Sequence, residues 1–227
     1  MVRAVVFDLW NTLVHSRGGD PFRHLHAVLT QSQRARFQEL KRDAMVQRHA
    51  DAHALLARWR GPLNLTDEQS DTITGIFRRA VEDTECFPET CEALEATRHV
   101  ARVALLSNTQ SFDLGFLDRL GIVQAIAHRF LSAETGFLKP EENAFAFVQQ
   151  KLGLFPGQLV MVGDSWNDDV KGALNAGWTA LWLNRDGKPR PDDLDPDAEL
   201  VEIQSLAQVA PAVERLQAGA RCSTCLG

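Results

Sequence analysis

Val5-Val6-Phe7-Asp8-Leu9-Trp10-Asn11-Thr12-Leu13 is the stretch on which the reading of this chain turns. Residues 3–7 are too few for a helix and rich in valine, the pattern of a strand buried on both faces. Asp8 closes that strand. In open α/β sheets the carboxyl ends of the strands are where ligands bind, so an acid at this point is a candidate for chemistry.

Beyond Leu13 the pattern changes to helical spacing. Residues 21–29, 31–60 and 66–85 carry apolar residues three and four apart, among them Phe37, Leu40, Ala44, Leu55, Leu56 and Trp59. Gly61-Pro62 is expected to break the middle stretch, and Thr66-Asp67-Glu68-Gln69 has the form of a capping box. Helix and strand then alternate: helix 88–99, strand 100–106, helix 112–120, strand 126–131, helix 141–152, strand 159–162, helix 170–176, strand 180–183, a loop over 184–196, strand 199–203 and helix 205–216. Such alternation predicts an α/β fold, a doubly wound parallel sheet with right-handed crossovers. Residues 15–86 are then a helical domain inserted into a core made of 1–14 and 87–227.

With 227 residues, 44% of them hydrophobic, the chain has ample material for a packed core. The formal net charge of −6 and the absence of any dense Lys/Arg run argue against nucleic-acid binding. Residues 15–88 hold 11 Lys+Arg against 10 Asp+Glu, so the acidic excess lies in the remainder. The first apolar run is broken at Asp8, and no span of about 20 apolar residues follows, which predicts a cytoplasmic protein without a membrane segment. Cys86, Cys91, Cys222 and Cys225 have a spacing unlike a compact zinc module and are read as inert thiols.

Four clusters close sheet elements: Asp8 and Thr12; Ser107 and Asn108; Lys139-Pro140; and Gly163-Asp164-Ser165-Trp166-Asn167-Asp168-Asp169. Each alone has a plain structural explanation, since aspartates before helices are commonly caps and Lys-Pro is commonly a turn. Their order and spacing together are specific. A carboxylate at Asp8 can attack phosphorus, with Lys139 offsetting the meeting of two anions. Thr12 and Ser107 hydroxyls, Asn108 and nearby backbone N–H groups can hold phosphoryl oxygens. Asp164 and Asp169, with Asp8 and the Trp10 backbone carbonyl, offer hard oxygen ligands for Mg²⁺.

In these motifs the chain resembles the haloacid dehalogenase superfamily of hydrolases with a helical cap inserted after the first motif. The resemblance runs from Val5 to about Leu206 and takes in Phe87-Pro88-Glu89, Gly172-Ala173 and Ala176-Gly177. It implies the same roles for the residues just named and a small, phosphorylated substrate. Members place the last acid at either of two spacings. Val170-Lys171-Gly172-Ala173 fits the longer, favouring Asp169, and Asp168 is then a helix cap.

Trp10 departs from the family's phosphatases, which usually carry a second aspartate there and a glycine where this chain has Asn11. That aspartate protonates the leaving oxygen and activates water, assistance of typically 10²–10⁴-fold. Indole cannot replace it, because its N–H donates but does not shuttle protons near neutral pH. Three alternatives follow: a leaving group that needs no proton, such as that of an acyl phosphate; an acid borrowed from the cap; or another bond. The family's 2-haloacid dehalogenases also carry an aromatic residue here, but lack the acid matching Asp164. Phosphonate cleavage would need a cap lysine, and Lys41, the only lysine between 15 and 88, reads as part of a solvated helix face. A ligand-binding protein that lost turnover is the non-enzymatic alternative. Trp10 and Trp166 fall in matching places after two strand ends, where both can wall a substrate pocket, and His15, Arg17, Arg23, His24 and Arg60 are further candidates for substrate contact.

Overall fold

The computed structural model describes residues 1–194 and 198–223. Its elements in chain order are β1 (Ala4–Phe7), β2 (Val14–Ser16), α1 (Pro21–Val28), α2 (Gln31–Val46), α3 (Ala52–Leu63), α4 (Asp67–Glu82), β3 (Thr84–Cys86), α5 (Thr90–Val100), β4 (Arg102–Ser107), α6 (Phe116–Arg119), β5 (His128–Leu131), α7 (Ser132–Thr135), α8 (Glu142–Leu152), β6 (Leu159–Gly163), a π-helical turn (Trp166–Lys171), α9 (Gly172–Asn175), β7 (Thr179–Leu183), β8 (Leu200–Ile203) and α10 (Val209–Ser223).

Six strands form one parallel sheet in the order β5-β4-β1-β6-β7-β8. The chain runs outward from β1 through β4 to β5, returns to β6 beside β1, and runs outward again. The order therefore reverses at β1, and the crevice of such a sheet lies at the carboxyl ends around that reversal. Asp8, Ser107 and Asp164 all stand there.

Alternation along β1 explains why both faces are covered. Val5 and Phe7 point into one apolar layer, shared with Leu94 of α5, Leu117 of α6 and Val213 of α10. Ala4 and Val6 point into the other, against Phe145 and Val148 of α8 and Ala173 of α9. All four β1 side chains are fully buried, as the valine-rich run predicts.

Helices α1–α4 are a helical insert with an apolar cluster of their own, centred on Leu25, Phe37, Leu55, Trp59, Ile73 and Phe77. Capping boxes at Thr30/Gln33 and Thr66/Gln69 start α2 and α4. Phe112, from the loop after β4, enters this cluster edge-on to Phe77 at 5.5 Å and ties the insert to the sheet. The chain enters and leaves the insert through a two-stranded antiparallel ribbon, β2 with β3.

Several expectations are corrected. Residues 31–60 form two helices, because Asp51 accepts from the Ala54 N–H and starts α3 anew. Gly61 and Pro62 lie inside the last turn of α3, which ends instead at left-handed Asn64 (φ 49°). Burial of Trp59 and Leu63 in the insert's cluster holds that turn, where Pro62 removes only one late helical bond. Only Phe116–Arg119 of 112–120 is helical, with Asp113 at φ 57° breaking the earlier part. The ribbon strands, three residues each, carry too little pattern to be foreseen.

Cys86 and Cys91 are free thiols. Cys225 and the side chain of Cys222 lie outside the described residues. No described helix is long and apolar enough to cross a membrane.

Candidate active site

Lys139 enters from the loop between α7 and α8 and is 4% exposed. Its Nζ lies 2.6 Å from Asp8 Oδ1 and 2.5 Å from Asp169 Oδ1. Burial alone would lower the Lys139 pKa, but the two carboxylates in contact outweigh it and raise it, so the ammonium stays charged. The loop is fixed by Asn108, whose amide bonds the Lys139 backbone twice: Lys139 N–H donates to Asn108 Oδ1 (2.8 Å) and Asn108 Nδ2 donates to the Lys139 carbonyl (2.9 Å). Asn108 was expected to hold phosphoryl oxygens. Its side chain is instead committed to placing Lys139, leaving only its backbone for that task.

Asp8, Asp164 and Asp169 each present an oxygen within 4.8 Å of the others'. Burial, with Asp8 nearby, pushes Asp164 up to about 6. Burial and the neighbouring carboxylates of Asp8 and Asp164 raise Asp169 despite Lys139 beside it. Three crowded carboxylates against one ammonium leave excess negative charge, and this all-oxygen donor set fits a hard divalent cation. The Trp10 carbonyl, in the loop after β1, accepts no hydrogen bond among the described residues.

Local structure brings Asp169 inward. In the π-helical turn both Asp169 N–H and Val170 N–H donate to the Ser165 carbonyl (3.0 and 3.2 Å), and Asp169 Oδ2 accepts from Ser165 N–H at 3.0 Å. Gly163 makes room, since a Cβ there would fall 2.1 Å from Asp169 Oδ2. Asp168 is not the helix cap expected, because Ser165 is: its Oγ accepts from the Asp168 N–H at 3.2 Å. Asp168 lies near enough to feel the charge of Lys139 and Asp8, but Asp169 is the acid that joins the clustered oxygens.

Thr12 is fully buried, with Oγ1 3.5 Å from Asp164 Oδ1. Ser107 Oγ is buried without a hydrogen-bond partner. Buried hydroxyls are almost always paired, so this one is an orphan beside the carboxylates' strand ends. The loop carrying Thr12 is tied from behind by Arg185, which donates to the Thr12 carbonyl (3.0 Å), pairs with Glu89 and lies 3.8 Å over the Phe87 ring. Sequence reasoning missed Arg185, because nothing local distinguishes it from a solvated arginine.

A cavity of about 250 Å³ lies between core and insert, lined by Trp10, Phe22, Lys41, Met45, Asn108 and Gln110 among others; it meets the site through Trp10 and Asn108, while Asp8, Lys139, Asp164 and Asp169 do not line it. Trp10 donates through Nε1 to Thr109 Oγ1 at 3.2 Å and packs on Phe116. Trp166, expected to form a second wall, lies outside the cavity. It packs against Trp182 of β7 and donates to Asp193 instead. Arg17 and Arg60 pair with acids of the insert, and neither they nor His15, Arg23 and His24 line the cavity. Lys41, read from sequence as a solvated residue, does. Its neighbours Phe37 and Met45, four residues away on either side, were the available signal, since all three share one helix face.

The profile of the haloacid dehalogenase-like hydrolases matches residues 2–177. The chain belongs to that family and is a hydrolase. It is 31% identical over 169 residues to the phosphoserine phosphatase of Thermus thermophilus, an alignment covering 66% of each chain. The chain thus spans just under two thirds of that relative's length. Among solved structures, the 2-haloacid dehalogenase of Pseudomonas syringae pv. Tomato superposes with a TM-score of 0.68 at 21% identity, covering 95% of this chain and 99% of that one. A HAD phosphatase from Thermococcus onnurineus gives 0.63 at 23% identity, covering 93% and 98%. At these identities the two structures share the fold.

Proposed function

We propose that this hydrolase is a cytoplasmic, Mg²⁺-dependent phosphatase of a small phosphorylated metabolite, working through an aspartyl-phosphate at Asp8. The observation that carries the reading is Lys139, buried and charged between Asp8 and Asp169 with Asp164 beside them. In this reading Asp8 Oδ attacks phosphorus, a P–O bond forms to Asp8 and the bond to the leaving oxygen breaks, its electron pair departing with that group. Water then attacks phosphorus, phosphate is released and Asp8 is restored. Lys139 offsets the charge of nucleophile and phosphoryl group, while Thr12 and the orphan hydroxyl of Ser107 hold phosphoryl oxygens. Asp8, Asp164, Asp169 and the Trp10 carbonyl would hold Mg²⁺, which supplies Lewis-acid charge at the phosphoryl group.

In the same reading residues 15–86 are a cap over a core of 1–14 and 87–227, excluding water when closed. The insert's separate apolar cluster and the thin β2–β3 ribbon support that division. With Trp10 at the acid's usual place, the best substrates are those whose leaving group departs without a proton. Displacement of halide is the second reading, favoured by Trp10 alone. Against it, the three carboxylates would repel a carboxylate substrate at the reacting end.

Phosphate release from acetyl phosphate and para-nitrophenyl phosphate, with Mg²⁺ and with chelator, tests the proposal. Mg²⁺-dependent release is expected. Release from neither activated substrate would overturn it.

A further inference from the structure

The cavity walls hold a connected set of hydrogen bonds that the phosphoryl site does not use. Trp10 Nε1 can only donate, so at 3.2 Å Thr109 Oγ1 accepts. The Thr109 hydroxyl proton is then directed to Gln110 Oε1, 3.3 Å away. Thr109 cannot shift to escape these bonds. It is fully buried, its N–H donates to Ser132 Oγ (2.9 Å), and Ser132 Oγ in turn donates to its carbonyl (3.1 Å). With the amide oxygen of Gln110 fixed in this way, the amide nitrogen is the end left over, and it has no acceptor among the described residues. Gln110 is nonetheless 5% exposed and lines the cavity.

A second unmatched donor faces the same space. Lys41 of α2 is half-buried, sits 5.1 Å over the Phe22 ring and forms no direct ion pair among the described residues, although the Asp168 carboxylate is near enough to feel its charge. Asp20 lines the cavity too, but one of its oxygens already caps α1 by accepting from the Phe22 N–H at 2.8 Å. A cation and an amide N–H₂, both without acceptors and set among Trp10, Phe22 and Met45, call for a ligand with acceptor oxygens and negative charge. At about 250 Å³ the space lies below the usual range for drug-sized ligands, so the ligand is compact.

We infer that Lys41 and Gln110 bind a carboxylate on the non-reacting end of the substrate, and that Trp10 is a positioning residue that orients Gln110 through Thr109. The substrate class is therefore a short phosphorylated carboxylic acid, a statement that rests on the phosphatase reading, whereas carboxylate binding by the cavity does not. Trp10 then has a use that an aspartate could not fill. It forms an apolar wall and sends one fixed proton into the Thr109–Gln110 pair.

The test compares phosphoglycolate with phosphoglycolamide, which keeps the phosphate but lacks the carboxylate's charge, as substrates, and glycolate with glycolamide as ligands by calorimetry, in wild type, Lys41→Met, Lys41→Arg, Gln110→Leu and Trp10→Phe. Wild type is expected to favour the carboxylate by about tenfold or more in kcat/KM and in affinity. That ratio should collapse in Lys41→Met through KM, persist in Lys41→Arg, and fall in Gln110→Leu and Trp10→Phe. Equal ratios in wild type and Lys41→Met, or a preference for the amide in wild type, would overturn the inference. Absence of turnover on phosphoglycolate and on acetyl phosphate alike, with glycolate still bound in a Lys41-dependent way, would remove the phosphatase reading and leave the carboxylate site standing.

Discussion

Lys139 holds Asp8 across 131 residues of sequence, Nζ to Oδ1 at 2.6 Å, and both groups are almost wholly buried. A buried ion pair of this kind stabilises little beyond a well-packed apolar pair, but removing one partner strands the other. Here the stranded side would be three carboxylates.

Lys139→Met is accordingly expected to cost about 3–5 kcal/mol of stability in metal-free protein and to lower kcat by at least about 10²-fold. Urea unfolding and phosphate release measure the two effects. A variant of wild-type stability and rate would remove Lys139 from the account.

The acid cluster sets a pH dependence whose sign is fixed. Asp164 is pushed up to about 6, chiefly by burial, against about 3.9 in an unfolded chain. Between those values the folded state binds more protons than the unfolded one, so the contribution of Asp164 to stability is lost as pH rises from about 4 to about 6. A bound cation reverses that loss by favouring the ionised acids. The rise in Tm on adding Mg²⁺ should therefore be larger at pH 7.5 than at pH 5, measured by thermal melts with chelator as reference. An equal or opposite trend would contradict the cation site.

Asp169 and Asp168 are neighbours in sequence with different surroundings, so they separate by experiment. Asp169→Asn should weaken Mg²⁺ binding by at least about tenfold in calorimetry and Asp168→Asn should leave it within about twofold. Gly163→Ala should act like Asp169→Asn, because the added methyl occupies the carboxylate's place. If Asp168→Asn is the damaging change, the ligand assignment is reversed.

Trp10→Asp restores the acid that the family's phosphatases usually carry. Hydrolysis of alkyl phosphates with poor leaving groups should rise, by up to about 10²-fold, relative to acetyl phosphate. Wild-type ratios in a folded Trp10→Asp would mean that proton transfer comes from elsewhere in the site.

The sheet was legible because its strands are fully buried and short: β1, β4, β6 and β7 read directly as apolar runs ending at charged or polar residues. The acids and Lys139 were legible for the same reason, each standing just after a strand or before a helix. What stayed hidden depends on contacts distant in sequence. Arg185 is recognisable only once Glu89 and the Thr12 carbonyl are beside it, and Gln110 only once Trp10 and Thr109 fix its amide. Asn108 looked like an anion ligand, since an amide's partner cannot be read from its own neighbours. Lys41 looked solvated because a Lys-Arg pair reads as an exposed helix face, whereas Lys41 lines the cavity and Arg42 pairs with Glu141, two residues beyond Lys139.

The central claim is that Asp8 is the nucleophile. Phosphate release from acetyl phosphate with Mg²⁺ by wild type and Asp8→Asn, with equal thermal melts in chelator confirming the fold, tests it most directly. The account predicts Mg²⁺-dependent turnover in wild type and a loss of at least about 10³-fold in Asp8→Asn. Undiminished turnover in a folded Asp8→Asn would contradict it.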